Sequence, residues 1–124
     1  MRTLLFLPLL LAALTAPAAP AAAAAAVEIR LSSFAFAPDT VRLKAGEPVV
    51  LHLVNAGRGG HDFAAPQFFA AARGVSGPVR KGKVEVAGHG SADVRLTPAR
   101  GTYKLRCSHT LHSTFGMSGT IVVD

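Results

Sequence analysis

The sequence predicts an all-β domain, a sandwich or a small barrel, with an export segment in front of it. Two observations carry this prediction. Apolar and polar residues alternate with a period of two in several short runs, which is typical of half-buried strands. Clusters rich in glycine and proline separate these runs, as turns between strands do. The 12 glycines and 8 prolines of the 124-residue chain supply enough turn-forming positions for many short strands.

The N-terminal segment has the three parts of a secretory signal peptide. Arg2 is the positive residue, residues 4–14 form the apolar region, and a small-residue boundary rich in Ala and Pro extends to Ala26. We therefore expect residues 1–26 to be removed and residues 27–124 to form one domain, periplasmic or exported. The alternative is an uncleaved membrane anchor, because residues 3–27 are long enough to span a bilayer.

The strands are predicted in order along the mature domain. Antiparallel strands with one face buried explain the alternating runs 27–32, 41–44, 92–96 and 103–107. Residues 49–54 are nearly all apolar and predict a central strand, and residues 121–123 close the chain. Residues 66–73 break the pattern with Pro66, two Phe and three Ala, which predicts a short helical segment.

The charge of the domain narrows the class of partner. Without Arg2, 12 basic and 7 acidic residues remain, a net charge of +5. Basic and aromatic residues do not interleave as they do in single-strand binders, so we expect no nucleic-acid partner. An ordinary solvated surface, an acidic partner and an anionic membrane surface remain open.

The single cysteine, Cys107, excludes an internal disulfide and opens a run of soft metal ligands. His112 and Met117 follow it at intervals of five, and His61 follows the Gly-rich turn 57–60. Two His, one Cys and a weak axial Met form the ligand set of blue-copper sites. The sequence therefore predicts one copper ion, held by His61, Cys107, His112 and Met117, whereas Cys107 alone would be read as a buried, inert thiol.

The remaining histidines are weaker candidates. His52 lies within the central strand and His89 in a Gly-flanked turn, which are ordinary structural or surface positions. His109 competes with His112, but it follows Cys107 by only two residues. Because such close spacing would strain a shared site, we rank it below His112.

Three motifs make the chain resemble the cupredoxins, the plastocyanin and azurin family of small blue copper proteins. They are Phe36-x-Pro38-x-x-Val41-x-Leu43-x-Ala45-Gly46-x-Pro48-Val49, then Val54-Asn55 leading to His61-Asp62-Phe63, and Gly101-x-Tyr103-x-x-x-Cys107-x-x-x-x-His112-x-x-x-x-Met117-x-Gly119-x-Ile121-x-Val123. The resemblance implies a Greek-key β-sandwich with copper at one end. It also implies that His61, Cys107 and His112 form a trigonal plane, with Met117 as the long axial ligand.

Two departures from that family pattern concern the surroundings of the site. Asp62 stands where many relatives have Asn, and Thr110-Leu111 stands where relatives with this spacing often have Pro-Gly. We expect the Asp62 carboxylate to brace the Cys107-Ser108 segment by accepting a hydrogen bond from Ser108. The alternative is a surface acid beside a ligand.

The function predicted from these residues is electron transfer through a Cu(I)/Cu(II) couple, without catalysis. The alternative is copper delivery, storage or tolerance, although the Met- or His-rich tracts common in such proteins are missing from the sequence. A metal-free interaction module would make the loop spacing a coincidence.

We expect a monomer that docks on a redox protein, with no stable membrane insertion after cleavage. By the family resemblance, electrons would pass through the edge of His112, inside an apolar patch of Leu111 and Phe115. The basic residues Arg80, Lys81 and Lys83 would steer an acidic partner.

Overall fold

The computed structural model describes Leu4 and residues 11–17, 24–109 and 116–124. Within these residues the chain forms ten strands and one helix. Their bounds are β1 Ala25–Ser32, β2 Ala35–Ala37, β3 Thr40–Leu43, β4 Val49–Asn55, β5 His61–Ala64, α1 Pro66–Ala71, β6 Arg73–Ser76, β7 Lys83–Val86, β8 Ser91–Thr97, β9 Gly101–Arg106 and β10 Ser118–Val123. The helix of the described residues is not long and apolar enough to cross a membrane.

Two five-stranded sheets form the domain, which confirms the predicted Greek-key β-sandwich. One sheet has the order β2-β1-β4-β8-β6 and the other the order β3-β10-β9-β5-β7. Antiparallel pairing is confirmed for β4 with β8 and for β9 with β10. It is wrong for β1 with β4 and for β3 with β10, which run parallel. Between β1 and β4 the chain crosses to the other sheet as β3, and this crossover lets β4 return in the direction of β1.

The core lies between the sheets and follows the predicted alternation. In β4 every second residue is buried, and the residues between them are partly exposed. From the facing sheet, Phe63 fills the centre, with its ring edge-to-face with Phe36 at 6.2 Å and with Phe69 at 5.9 Å between centroids. Aromatic pairs in this geometry add about 0.5–1.5 kcal/mol beyond the area they bury.

Several elements differ from the sequence prediction. The helix ends at Ala71 rather than at residue 73, and Arg73 begins β6. The strands β2, β5, β6 and β7 were not predicted. All four residues of β5 are buried and all four of β6 are exposed, so neither strand alternates. β1 begins at Ala25, two residues before the predicted start of the mature domain.

Candidate metal centre

Three of the four predicted ligands lie at one end of the sandwich, where strand ends meet. His61 is the first residue of β5, Cys107 follows the last residue of β9, and Met117 precedes β10. All three are buried, with exposed fractions of 3%, 0% and 0%. Residues so far apart in sequence converge because β9 pairs with both β5 and β10.

The distance between the sulfur and the imidazole suits a shared metal ion. Cys107 Sγ lies 4.0 Å from His61 Nδ1. Two bonds of about 2.3 Å to sulfur and about 2.0 Å to nitrogen, opened to about 120°, would separate the two atoms by about 3.7 Å. The Cys107 N–H also donates to the Met117 carbonyl at 3.1 Å, which closes the loop and brings the thioether-bearing residue beside the thiol. His61, Cys107 and Met117 therefore fit a soft metal such as copper.

The surroundings of the thiol resist ionisation in the absence of a metal. Burial raises the pKa of Cys107, and the nearby Asp62 carboxylate raises it further, while backbone N–H groups of Asp62 and His109 lower it. The Asp62 N–H points at Sγ from 3.4 Å. Because a metal binds the thiolate, metal binding at this site should release a proton and strengthen as pH rises.

Asn55 fixes the turn that leads to His61, a role that the sequence analysis did not assign to it. Its side-chain amide donates to the carbonyls of Gly59 at 2.8 Å and Val86 at 3.0 Å. Its Oδ1 accepts the Gly57 N–H at 3.0 Å. Asn55 is 1% exposed and its bond to Val86 is buried, so the side chain that holds the turn is itself sheltered from water. An Asn at the end of a buried strand, directly before a Gly-rich turn, was the available sequence signal.

Asp62 braces the segment after Cys107, and the predicted hydrogen bond from Ser108 is present. Its Oδ1 accepts the Ser108 N–H at 2.7 Å, and its Oδ2 accepts the Ser108 hydroxyl. Asp62 is fully buried rather than a surface acid. Lys83 Nζ lies 3.9 Å from Asp62 Oδ2 and 3.3 Å from Ser108 Oγ, so a partly exposed cation faces this buried carboxylate.

The His109 imidazole is directed to carboxylates. Its Nε2 lies 2.8 Å from Glu85 Oε2 and 3.9 Å from Asp62 Oδ2. The ranking of His109 below His112 as a ligand stays a prediction. His52 pairs with Asp93 across β4 and β8, and His89 is exposed in its turn, as the sequence suggested. The predicted ligand His112 and its neighbours Leu111 and Phe115 lie outside the described residues.

Solved structures similar to this chain include auracyanins and a multicopper oxidase. Auracyanin B is 26% identical, with a TM-score of 0.61, over 88% of this chain and 93% of that one. The dithionite-reduced auracyanin of Roseiflexus castenholzii is 18% identical, with a TM-score of 0.63, over 83% and 99% of the two chains. Auracyanin A, a "blue" copper protein of Chloroflexus aurantiacus, is 20% identical, with a TM-score of 0.56, over 80% and 99%.

Two sequence comparisons complement these structures. No curated protein sequence matches the chain. The cupredoxin-like domain family, however, matches residues 3–123, which include every strand of both sheets and all four predicted ligands. The fold, the buried His–Cys pair and this match agree, and the chain belongs to the cupredoxin-like family.

Proposed function

We propose that this chain is an exported blue copper protein that carries single electrons. The observation that carries the proposal is the buried pair of Cys107 Sγ and His61 Nδ1, 4.0 Å apart at the end of the sandwich. The similarity to auracyanins supports copper as the cofactor, one ion per chain, as predicted from the sequence. We propose His61, Cys107, His112 and Met117 as its ligands.

The protein's contribution is to hold these ligands still. Bound copper would supply a one-electron couple between Cu(I) and Cu(II). Asn55 fixes the turn before His61, and Asp62 fixes the segment after Cys107. The hydrogen bond from Cys107 N to Met117 O ties the two ends of the loop. A site held this way would change little between oxidation states, which lowers the reorganisation that electron transfer requires.

Burial favours an electron carrier over copper delivery. A delivery site must pass its metal to another protein, which requires ligands that a receiving protein can reach. Here His61, Cys107 and Met117 are all nearly or completely buried. Copper delivery, storage or tolerance is therefore the second candidate function. We also expect no catalysis.

Export is proposed from the first 26 residues, whose pattern is that of a cleaved signal. Cleavage after Ala26 would remove Ala25 and Ala26, which lie opposite Val49 and Val50 at the exposed start of β1. Intact mass of the protein recovered from the periplasm or the medium tests this. A protein that retains Met1 in the membrane fraction would be anchored instead.

The electron-transfer proposal is tested by loading the purified domain with copper and comparing redox cycling with metal exchange. We expect reversible one-electron voltammetry and copper that stays bound during incubation with a competing Cu(I) chelator. Loss of the copper to the chelator within the time of mixing, together with irreversible voltammetry, would favour the delivery function.

A further inference from the structure

A rigid basic hairpin lies beside the metal centre. It consists of residues 78–85. Arg80 and Lys83 exchange backbone hydrogen bonds of 2.9 and 3.1 Å around the two-residue turn Lys81-Gly82. Both turn residues have positive φ, 52° and 74°, the combination that suits the twist of a tight hairpin. The Gly82 carbonyl accepts the Ala65 N–H at 3.0 Å, so the turn is anchored to the start of α1.

The basic hairpin borders a half-open cleft of about 340 Å³ with a mostly apolar surface, and three cationic side chains stand among its lining residues. Pro78, Arg80, Lys81, Lys83 and Glu85 line it. Of its three cations, Lys83 pairs with Asp62 at 3.9 Å, and the acid of the cleft, Glu85, is already bonded to His109 at 2.8 Å. Within the described residues, neither Arg80 nor Lys81 forms an ion pair. The cleft therefore offers unbalanced positive charge.

Lys83 belongs both to this cleft and to the surroundings of the metal ligands. Its side chain is 39% exposed, and its Nζ lies 3.3 Å from Ser108 Oγ and 3.9 Å from Asp62 Oδ2. Strand β7, which begins at Lys83, pairs with β5 so that Val86 lies opposite His61. A protein docked on the hairpin would therefore contact β7, the strand that pairs with the strand of His61. It would also reach Lys83, which contacts Ser108 in the segment after Cys107.

We propose that an acidic face of the redox partner docks on the basic hairpin, and that Lys83 couples this docking to the oxidation state of the metal centre. This inference rests on the proposed function. Carboxylates brought to the hairpin compete with Asp62 for Lys83. The negative charge of the partner's carboxylates favours the more positive, oxidised centre. The Asp62 carboxylate, once Lys83 is drawn away from it, favours the oxidised centre as well.

Docking should therefore lower the reduction potential of the protein. By linkage, the oxidised protein must bind the acidic partner more tightly than the reduced protein does, by the corresponding factor. Transfer moves one electron between the protein and its partner, and no bond or proton is exchanged. The lower potential makes the docked protein the stronger reductant, so electron transfer from the protein to the partner gains driving force.

A protein partner explains the hairpin better than an anionic membrane surface does. The cations line a concave cleft that also contains Glu85, whereas a flat lipid surface would reach only the outermost charges. The cleft also adjoins the metal centre, which matters for a redox protein and not for a lipid. Vesicles containing phosphatidylserine separate the two possibilities in the test.

The test uses a deca-glutamate peptide as the acidic probe at low salt. Its affinity is measured for the metal-free, the oxidised and the reduced copper-loaded protein, and the midpoint potential is measured with and without it. We expect about tenfold tighter binding to the oxidised form, from two charges roughly a nanometre apart near a surface at low salt. We also expect a lower potential when the peptide is bound.

Three variants that each remove one positive charge separate docking from coupling. Lys81→Met should weaken peptide binding and lower the potential of the free protein only slightly. Lys83→Met should weaken binding, lower the potential of the free protein more than Lys81→Met does, and reduce the difference in peptide affinity between the two oxidation states. Lys44→Met is the matched control, because Lys44 follows β3 at the opposite end of the sandwich, and it should change neither quantity.

Equal affinity of the oxidised and reduced proteins for the peptide would overturn the coupling. Binding that Lys81→Met and Lys83→Met leave intact would overturn the docking site, and so would hairpin-dependent binding to vesicles without binding to the peptide. A protein without thiolate–copper colour would instead refute the proposed function, and peptide binding to the metal-free protein would still test the hairpin.

Discussion

Asp62 offers the sharpest test of how the chain supports its metal ligands. Asp62→Ala removes the acceptor of two hydrogen bonds from Ser108, one from its N–H at 2.7 Å and one from its hydroxyl. Hydrogen bonds to charged groups contribute about 1.5–3 kcal/mol each. Because Ser108 is partly exposed, the lower value applies, and the two bonds together should contribute about 3 kcal/mol to the metal-free domain.

Asp62→Asn should be much milder. The amide oxygen can still accept the Ser108 N–H, so we expect a loss of about 1 kcal/mol. Asp93→Ala is the matched control, because Asp93 is 65% exposed and makes a surface pair with His52. Such pairs contribute about 0–1 kcal/mol.

Urea unfolding of the metal-free variants measures these differences, provided that the m-value stays constant. Copper affinity should also fall about tenfold or more in Asp62→Ala and stay unchanged in Asp93→Ala. If the free energy of unfolding of Asp62→Ala lies within about 0.5 kcal/mol of the parent's, the hydrogen bonds between Asp62 and Ser108 do not stabilise the domain as described.

The other predictions concern the ligands and the turn before His61. His109→Ala should keep the visible colour of the copper protein, because the His109 ring is bonded to Glu85. His112→Ala should lose the colour or the copper. If His109→Ala loses the colour and His112→Ala keeps it, His109 is the ligand instead of His112. Met117→Leu should raise the potential and Met117→Gln should lower it, and voltammetry without either shift would make Met117 a packing residue. Gly88→Ala should destabilise the domain by more than about 2 kcal/mol and weaken copper retention, because its Cβ would overlap the Arg58 carbonyl oxygen. Gly59→Ala meets nothing within 4 Å and should be neutral, so equal stability of the two Gly variants would refute this packing argument.

The sandwich could be predicted where one face of a strand is buried. Alternating residues marked β1, β3, β8 and β9 because their inward and outward positions differ in burial. β5 is buried throughout and β6 is exposed throughout, so period-two reasoning could not find them. The parallel pairing of β1 with β4 depends on a crossover between sheets, which no local pattern records.

Candidate ligands could be chosen from the sequence because the single cysteine and the residues His61 and Met117 fall next to strand ends. The supporting residues were harder to predict. The bond between Asp62 and Ser108 was expected, but its contact with Lys83 depends on the pairing of β5 with β7, a strand that was not predicted. Asn55 acts through carbonyls of residues 59 and 86, and the second lies on that same unpredicted strand.

The central claim is that His61 and Cys107 bind the same copper ion, with sulfur as thiolate. Visible and EPR spectra of the oxidised, copper-loaded domain test it most directly, with Cys107→Ser and His61→Ala measured beside it. We expect an intense visible sulfur-to-copper band in the parent, no such band in Cys107→Ser, and a weakened or water-opened site in His61→Ala. A colourless parent that binds copper while its Cys107 thiol still reacts with a thiol reagent would contradict the claim.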